Sequence, residues 1–147
     1  FRRVLFRSKQ CDWSVGEANS IEIDQINILQ ATMLAMKRAI IDLQEEYSKY
    51  RGKTVFNVIV DGNQCPDITN CMAIVKGDLS EPIISAASII AKVTRDRQMK
   101  ELDNQYPQYG FAQHKGYGTR KHLLALSIYG PIKDVHRHSF GPVKEFS

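Results

Sequence analysis

Apolar and polar positions along this chain change period several times, and each change marks an element. Trp13-Ser14-Val15-Gly16-Glu17-Ala18 alternates residue by residue and predicts a short strand. Asn19-Ser20 offers a cap, and a helical stretch follows from near Glu22, in two pieces around Asn27. Apolar residues recur at Ile28, Leu29, Met33, Met36, Ile40 and Leu43. That spacing is close to the helical period and predicts an amphipathic helix of about four to five turns, with its methionines as core filler. The charged stretch from Glu45 to Lys53 ends in Arg51-Gly52-Lys53 and reads as a loop.

Thr54 to Val60 is apolar and rich in β-branched residues, as expected of a strand covered on both faces, and it runs into Asp61-Gly62-Asn63. Pro66-Asp67 marks a turn. Met72 to Val75 is the next strand and ends in Lys76-Gly77-Asp78. A helix follows from about Glu81 to Tyr106, with Pro82 in its first turn, where a missing N–H costs nothing. Its Ala86, Ala87, Ser88 and Ala91 permit close packing on a sheet, and Tyr106-Pro107-Gln108-Tyr109-Gly110 stops it. A glycine-spaced loop, His114-Lys115-Gly116-Tyr117-Gly118-Thr119, leads into a last helix that ends at Gly130-Pro131. Strands alternating with helices give an α/β class. The opening residues 1–8, Phe1-Arg2-Arg3-Val4-Leu5-Phe6-Arg7-Ser8, have no clear period and read as a non-native, adapter-derived segment, leaving 9–147 as one domain.

Composition narrows the class. The chain of 147 residues is long enough to bury a core, and 43% hydrophobic with 24% charged residues is ordinary for a globular protein. No apolar run approaches the roughly 18 residues needed to span a bilayer, and no secretory signal is recognisable, so a membrane is not an expected partner. Cys11, Cys65 and Cys71 lack zinc-finger spacing, and reduced thiols in a cytoplasmic protein are the simpler expectation. The net charge of +4 is concentrated late: from Gln113 onward there are six Lys or Arg residues against two acids, and all four histidines. That quarter is expected to face phosphates.

The candidate chemistry begins with Asp61 and Asp78. Each alone is a common turn residue, but both follow apolar strand runs. In neighbouring strands of like direction both would emerge at one sheet edge, where hard oxygen ligands suit Mg²⁺ or Mn²⁺. Two aspartates do not complete a two-metal hydrolytic site, whose ions stand about 3.5–4 Å apart. Such a site usually needs three or four carboxylates, and no further strand-end acid pair is visible. In His114-Lys115-Gly116-Tyr117, Lys115 can pair with phosphate and Tyr117 can stack on a base or sugar, but an exposed loop with a packing tyrosine fits equally. His136-Arg137-His138-Ser139 reads either as a metal-binding pair or as a basic tail contacting phosphate, and Lys92 faces either the edge of the core or a phosphate.

These blocks resemble bacterial ribonuclease HII over essentially all of Lys9 to Val143. The matching segments begin with Glu22-Ile23-Asp24-Gln25-Ile26-Asn27-Ile28-Leu29, Ala31-Thr32-Met33-Leu34-Ala35-Met36 and Val60-Asp61-Gly62-Asn63. They continue with Val75-Lys76-Gly77-Asp78, Ile84 through Asp96, Tyr106 through Tyr117 and His136 through Val143. The resemblance implies a ribonuclease H-like fold, with a central mixed sheet flanked by helices and a helical C-terminal extension. It implies cleavage of the RNA strand of RNA–DNA hybrids and incision 5′ of single ribonucleotides embedded in duplex DNA, by a monomer using two Mn²⁺ or Mg²⁺ ions held by four carboxylates. Asp61 and Asp78 match the third and fourth of these. Tyr117 matches the tyrosine that reads the RNA-to-DNA junction, and Lys115, His114, Lys92, Asn63 and Arg137 are expected to join it in binding substrate.

One departure is large. The family's first strand carries an Asp-Glu-Val-Gly-Arg-Gly segment with the first two carboxylates, and nothing here matches it. The first strands of the sheet are therefore expected to be missing, a sheet edge or core face to be uncovered, and the chain as it stands to have little or no nuclease activity. The competing expectation is a non-catalytic hybrid- or duplex-binding module that uses the basic C-terminal region.

Overall fold

In the computed structural model, which describes residues 12–146 and the backbone of Arg3–Val4, a reciprocal cap starts the first helix. Asn19 Oδ1 accepts the backbone N–H of Glu22 at 2.9 Å, and Glu22 Oε2 accepts that of Asn19 at 2.9 Å, which satisfies two end donors at once. Helix α1 runs Ser20–Arg51 and breaks at Asn27 (φ 68°, ψ 166°), where the division was expected. Its far end corrects the sequence reading: the charged stretch expected as a loop is helical as far as Arg51. A run of charge is here a solvated helix face, and Lys49 and Arg51 in the last turn complement the negative end of the helix dipole. Gly52 (φ 79°) then leaves the helix.

The chain forms two compact units, one from residues up to Ala18 with Leu29–Lys92, the other from Asn19–Ile28 with Val93 onward. In the first, strand β1 (Arg3–Val4) pairs antiparallel with β2 (Val15–Gly16), shorter than the alternation predicted. Apart from that backbone pairing, the segment 1–8 read as adapter-derived lies outside the described residues. A Cβ on Gly16 would run into the Ala35 carbonyl and stand 2.5 Å from the Ala39 nitrogen, so β2 sits directly on the helix backbone. The buried face of α1 is accordingly the small-residue row Ala31, Ala35 and Ala39 with Met36 and Ile40. Ile28 and Leu29, expected on that face, are exposed. Bulk marks a core position only where the neighbour leaves room for it.

Strand β3 (Val58–Asp61) is shorter than the expected 54–60 run and pairs in parallel with β4 (Cys71–Ile74), with Val58 opposite Cys71 and Asp61 opposite Ile74. Val60 is buried, whereas Val58 and Ile59 are only half-buried. The thiols expected to be reduced are instead joined: Cys65 and Cys71 form a disulfide across the β3–β4 connection, with Cα atoms 6.0 Å apart. The same connection is tied to α1 by an ion pair of 2.7 Å between Lys37 and Asp67, which holds the Asp67 carboxyl below its usual range. Helix α2 (Gly77–Ser80) precedes α3 (Pro82–Gln105), whose bounds match the expectation and whose Ile84 is buried. Among the described residues no third strand joins β3 and β4, so the sheet is smaller than the resemblance implies, and Val75 is 69% exposed.

The second unit is helical. A 3-10 turn at Pro107–Tyr109, α4 (Phe111–His114), α5 (Arg120–Tyr129) and α6 (Gly141–Lys144) surround a core of Met99, Tyr109, Phe111, Ala125, Leu126 and Val143. Thr119 caps α5 through the His122 N–H, and the Tyr109 hydroxyl donates to the Gly130 carbonyl at 2.6 Å where that helix ends. The C-terminal segment is held by Ser20, whose hydroxyl donates to the Asp134 carbonyl at 2.6 Å, and by Asp24. The Asp24 carboxylate accepts the backbone N–H groups of His138 (2.7 Å) and Ser139 (3.0 Å) and the Ser139 hydroxyl. Burial pushes the Asp24 carboxyl upward, but the Ser139 hydroxyl, these amides and the nearby His138 outweigh it and hold it below its ordinary range. Among the described residues no helix is long and apolar enough to cross a membrane.

The close approach of β2 to α1 makes Gly16→Ala an expected destabilisation of about 1–3 kcal/mol, the usual cost of overpacking. It should appear as a lower urea midpoint with an unchanged m-value. A midpoint equal to that of the parent chain would contradict the packing described.

Candidate functional site

Because β3 and β4 run in the same direction, Asp61 at the end of β3 and the exit Val75-Lys76-Gly77-Asp78 from β4 emerge at one edge. The link is direct: the Gly77 N–H donates to Asp61 Oδ1 at 2.9 Å. Lys76 adopts a left-handed conformation (φ 56°, ψ 36°) that turns the strand exit into α2. Gly77 follows, and a Cβ there would stand 2.7 Å from Ile84 Cδ1, so a larger residue would have to displace the buried Ile84 side chain. Asp61 is half-buried and Asp78 exposed. Two hard oxygen donors at one strand edge suit Mg²⁺ or Mn²⁺. They fit part of a metal centre only: among the described residues, no group of three or more His, Cys, Asp or Glu could hold an ion. Asn63, just beyond Gly62 (φ 118°), and Lys92 on α3 are also in this unit, and both are exposed.

The other candidate residues belong to the second unit. Lys115 (φ 52°) and Gly116 (φ 83°) take two left-handed steps after α4. The Lys115 carbonyl accepts from Arg95 Nη2 at 3.3 Å, and its ammonium donates to the Ala112 carbonyl. Tyr117 is pinned through its backbone: its N–H donates to the His114 carbonyl (2.9 Å), and its own carbonyl accepts from the Thr119 N–H (2.8 Å) and pairs with His122 Nδ1 (3.0 Å). Its side chain is 72% exposed, so the alternative of a packing tyrosine gives way to an aromatic ring presented on a fixed backbone. Arg137 is half-buried, with its guanidinium 4.5 Å from the centre of the Phe140 ring.

His114 is a correction. Expected to meet substrate, it is buried, with Nε2 2.8 Å from the Tyr109 carbonyl and Nδ1 accepting the Gly116 N–H at 3.2 Å. His122 and His136 are buried beside it, so three of the four histidines expected on a phosphate-facing surface are interior. His114 stacks on His122 with ring centres 4.2 Å apart, and His122 Nε2 lies 3.1 Å from His136 Nε2. His136 Nδ1 accepts the Ile132 N–H at 2.8 Å. The metal-binding alternative for His136 and His138 is not met, since His136 is interior and His138 exposed. Burial pushes the His122 imidazole below its usual range against the pull of the Tyr117 carbonyl, with His114 adding to the depression. Burial, with help from His122, lowers His136 to about 4. Sequence reasoning assigned His122 no role; the signal available was a histidine in the first turn of a helix, three residues after its Thr119 cap.

A family model described as Ribonuclease HII matches residues 7–143. The Ribonuclease HII of Polynucleobacter asymbioticus is 56% identical over 145 residues, which cover 98% of this chain and 70% of that protein. That of Acinetobacter baylyi is 52% identical over 143 residues, covering 96% of this chain and 71% of that protein. The Vibrio parahaemolyticus protein of the same name is 50% identical over 140 residues, 95% of this chain and 62% of that protein. The crystal structure of the ribonuclease H2 from Pyrococcus horikoshii OT3 matches with a TM-score of 0.66 at 21% identity, over 92% of this chain and 69% of that one. That likeness bears out the expected α/β ribonuclease H-like fold.

The depressed His136 sets a pH dependence. A histidine whose folded value lies near 4, against an ordinary 6.5, adds its full stability above pH 6.5 and loses it as pH falls from 6.5 toward 4. The loss should reach about 3 kcal/mol. Urea midpoints should fall between pH 7.5 and 5 in the parent chain and fall less in His136→Phe; equal pH profiles would sink the assignment.

Proposed function

The chain belongs to the ribonuclease HII family of ribonuclease H endonucleases, which use divalent metal ions, and on that premise we propose that its described residues supply part of the machinery for two reactions, without completing the catalytic centre by themselves. These are hydrolysis of the RNA strand of RNA–DNA hybrids and incision 5′ of single ribonucleotides in duplex DNA. The observation that carries this reading is the 2.9 Å bond from the Gly77 amide to Asp61, which joins the two aspartate-bearing strand ends at one edge. Asp61 and Asp78 would hold part of a two-ion Mn²⁺ or Mg²⁺ centre. When bound, such ions supply charge stabilisation at the scissile phosphate and acidify the attacking water.

The chain's own residues orient the substrate. Tyr117 offers its exposed ring to the sugar or base at the junction, on a backbone that does not need to reorganise. Lys115, Lys92 and Arg137 neutralise phosphates, and Asn63 hydrogen-bonds the sugar–phosphate backbone. Phosphate contacts set register and dominate affinity, so binding weakens steeply with salt. His114 supports the loop from within, without touching substrate. The protein acts as a single chain in the cytoplasm, where the Cys65–Cys71 bridge would meet a reducing thiol pool.

Mn²⁺ titration followed by electron paramagnetic resonance, together with incision of a labelled duplex carrying one ribonucleotide, tests this reading. Asp61→Asn and Asp78→Asn should each weaken Mn²⁺ binding by about tenfold or more, the order expected from losing a charged oxygen ligand. The parent chain should bind duplex in a salt-sensitive way and show little or no cleavage. Mn²⁺ affinity unchanged in both variants, or incision that survives Asp61→Asn, would overturn the metal assignment and leave the non-catalytic binding module as the better account.

A further inference from the structure

Three buried histidines lie behind the loop that presents Tyr117, and neither the metal edge nor the phosphate contacts use them. Their hydrogen-bond partners leave each ring one neutral form. The Ile132 N–H occupies His136 Nδ1, so neutral His136 carries its proton on Nε2. His122 Nε2, 3.1 Å away, must then accept. That leaves the His122 proton on Nδ1, where it donates to the Tyr117 carbonyl at 3.0 Å. On the other side, the Gly116 N–H occupies His114 Nδ1, so His114 Nε2–H donates to the Tyr109 carbonyl.

We propose that His136, His122 and His114 are positioning residues that fix the backbone of the Tyr117 loop through directional hydrogen bonds, and that this loop holds only while all three rings are neutral. The proposal rests on the reading of Tyr117 as a substrate contact for its functional meaning, though not for its geometry. A proton added to His122 or His136 sets two donors against each other, at the shared Nε2 contact or at the Ile132 amide. A proton added to His114 opposes the Gly116 amide. The cluster is not a cation site in disguise, because the Ile132 amide bond requires the proton on His136 Nε2, the nitrogen a shared ion would need. The titratable groups acting on the His122–His136 pair are His114 from α4 and His138 from the C-terminal segment. The Tyr109 ring stands 5.4 Å from His136, and the uncharged Phe111 ring 5.6 Å from each member of the pair. These histidines and the burial of the pair all oppose a positive charge on either ring of the pair.

Two substitutions separate positioning from packing. Asn at 122 places an amide N–H where His Nδ1 stands and keeps the donor to Tyr117; Gln reaches toward His136 and loses that donor. In the full chain at pH 7.5, long-range ¹H–¹⁵N spectra should show Nε2–H forms for His114 and His136 and the Nδ1–H form for His122. His122→Gln should speed exchange of the Thr119 amide, which shares the Tyr117 carbonyl, by about tenfold, the scale of one lost hydrogen bond, while His122→Asn should not. A different set of tautomers, or equal Thr119 exchange in the two variants, would overturn the proposal. The preference for a duplex with one ribonucleotide over all-DNA duplex, read by anisotropy, should fall about fivefold in His122→Gln and be rescued in His122→Asn. If Tyr117→Ala leaves that preference unchanged, the substrate reading of Tyr117 fails, while the tautomers and the exchange rates still decide the positioning role.

Discussion

The 2.9 Å hydrogen bond from the Gly77 amide to Asp61 Oδ1 exists only because β3 and β4 run parallel with Asp61 opposite Ile74. An antiparallel pair would send the two strand ends to opposite edges. The left-handed Lys76 and the Cβ-free Gly77 then let the strand exit bend onto Ile84 of α3. The acidic edge is thus a product of strand direction, one left-handed residue and one close approach. Among the described residues no further His, Cys, Asp or Glu joins it to make a group that could hold an ion.

The second unit meets the opposite problem, polar groups placed inside. Burying an imidazole costs free energy unless both nitrogens find partners, and His114, His122 and His136 meet that demand with one another and with backbone groups. His122 Nδ1 and the Thr119 N–H both meet the Tyr117 carbonyl, while the Tyr117 ring stays in solvent. Arg120 and Lys121 are exposed and Lys115 is half-buried, whereas three of the four histidines are interior, and burial lowers the pKa of His122 and His136.

Small residues do for β2 and α1 what the histidines do for the loop. Gly16 against Ala35 and Ala39 replaces side-chain packing with backbone contact. The larger apolar residues Ile28 and Leu29 stay at the surface. At Gly16 a side chain is excluded by space, whereas at Gly116, where a Cβ would stand 3.2 Å from the flexible end of Arg95, the positive φ of 83° is what favours glycine.

Local signals were legible in the sequence because their causes are local. The Asn19 cap, the break at Asn27, the Pro82 start and Gly130 end of helices, and the two aspartates closing apolar runs all act within a few residues of themselves. Ordered blocks of such signals sufficed to identify the family. The direction of β4 relative to β3, the alanine face of α1, the Cys65–Cys71 bridge and the inward turn of His114 were decided only in three dimensions. Each depends on what a partner elsewhere in the fold leaves room for or donates to. His122, for example, owes its proton on Nδ1 to an amide ten residues later, relayed through His136.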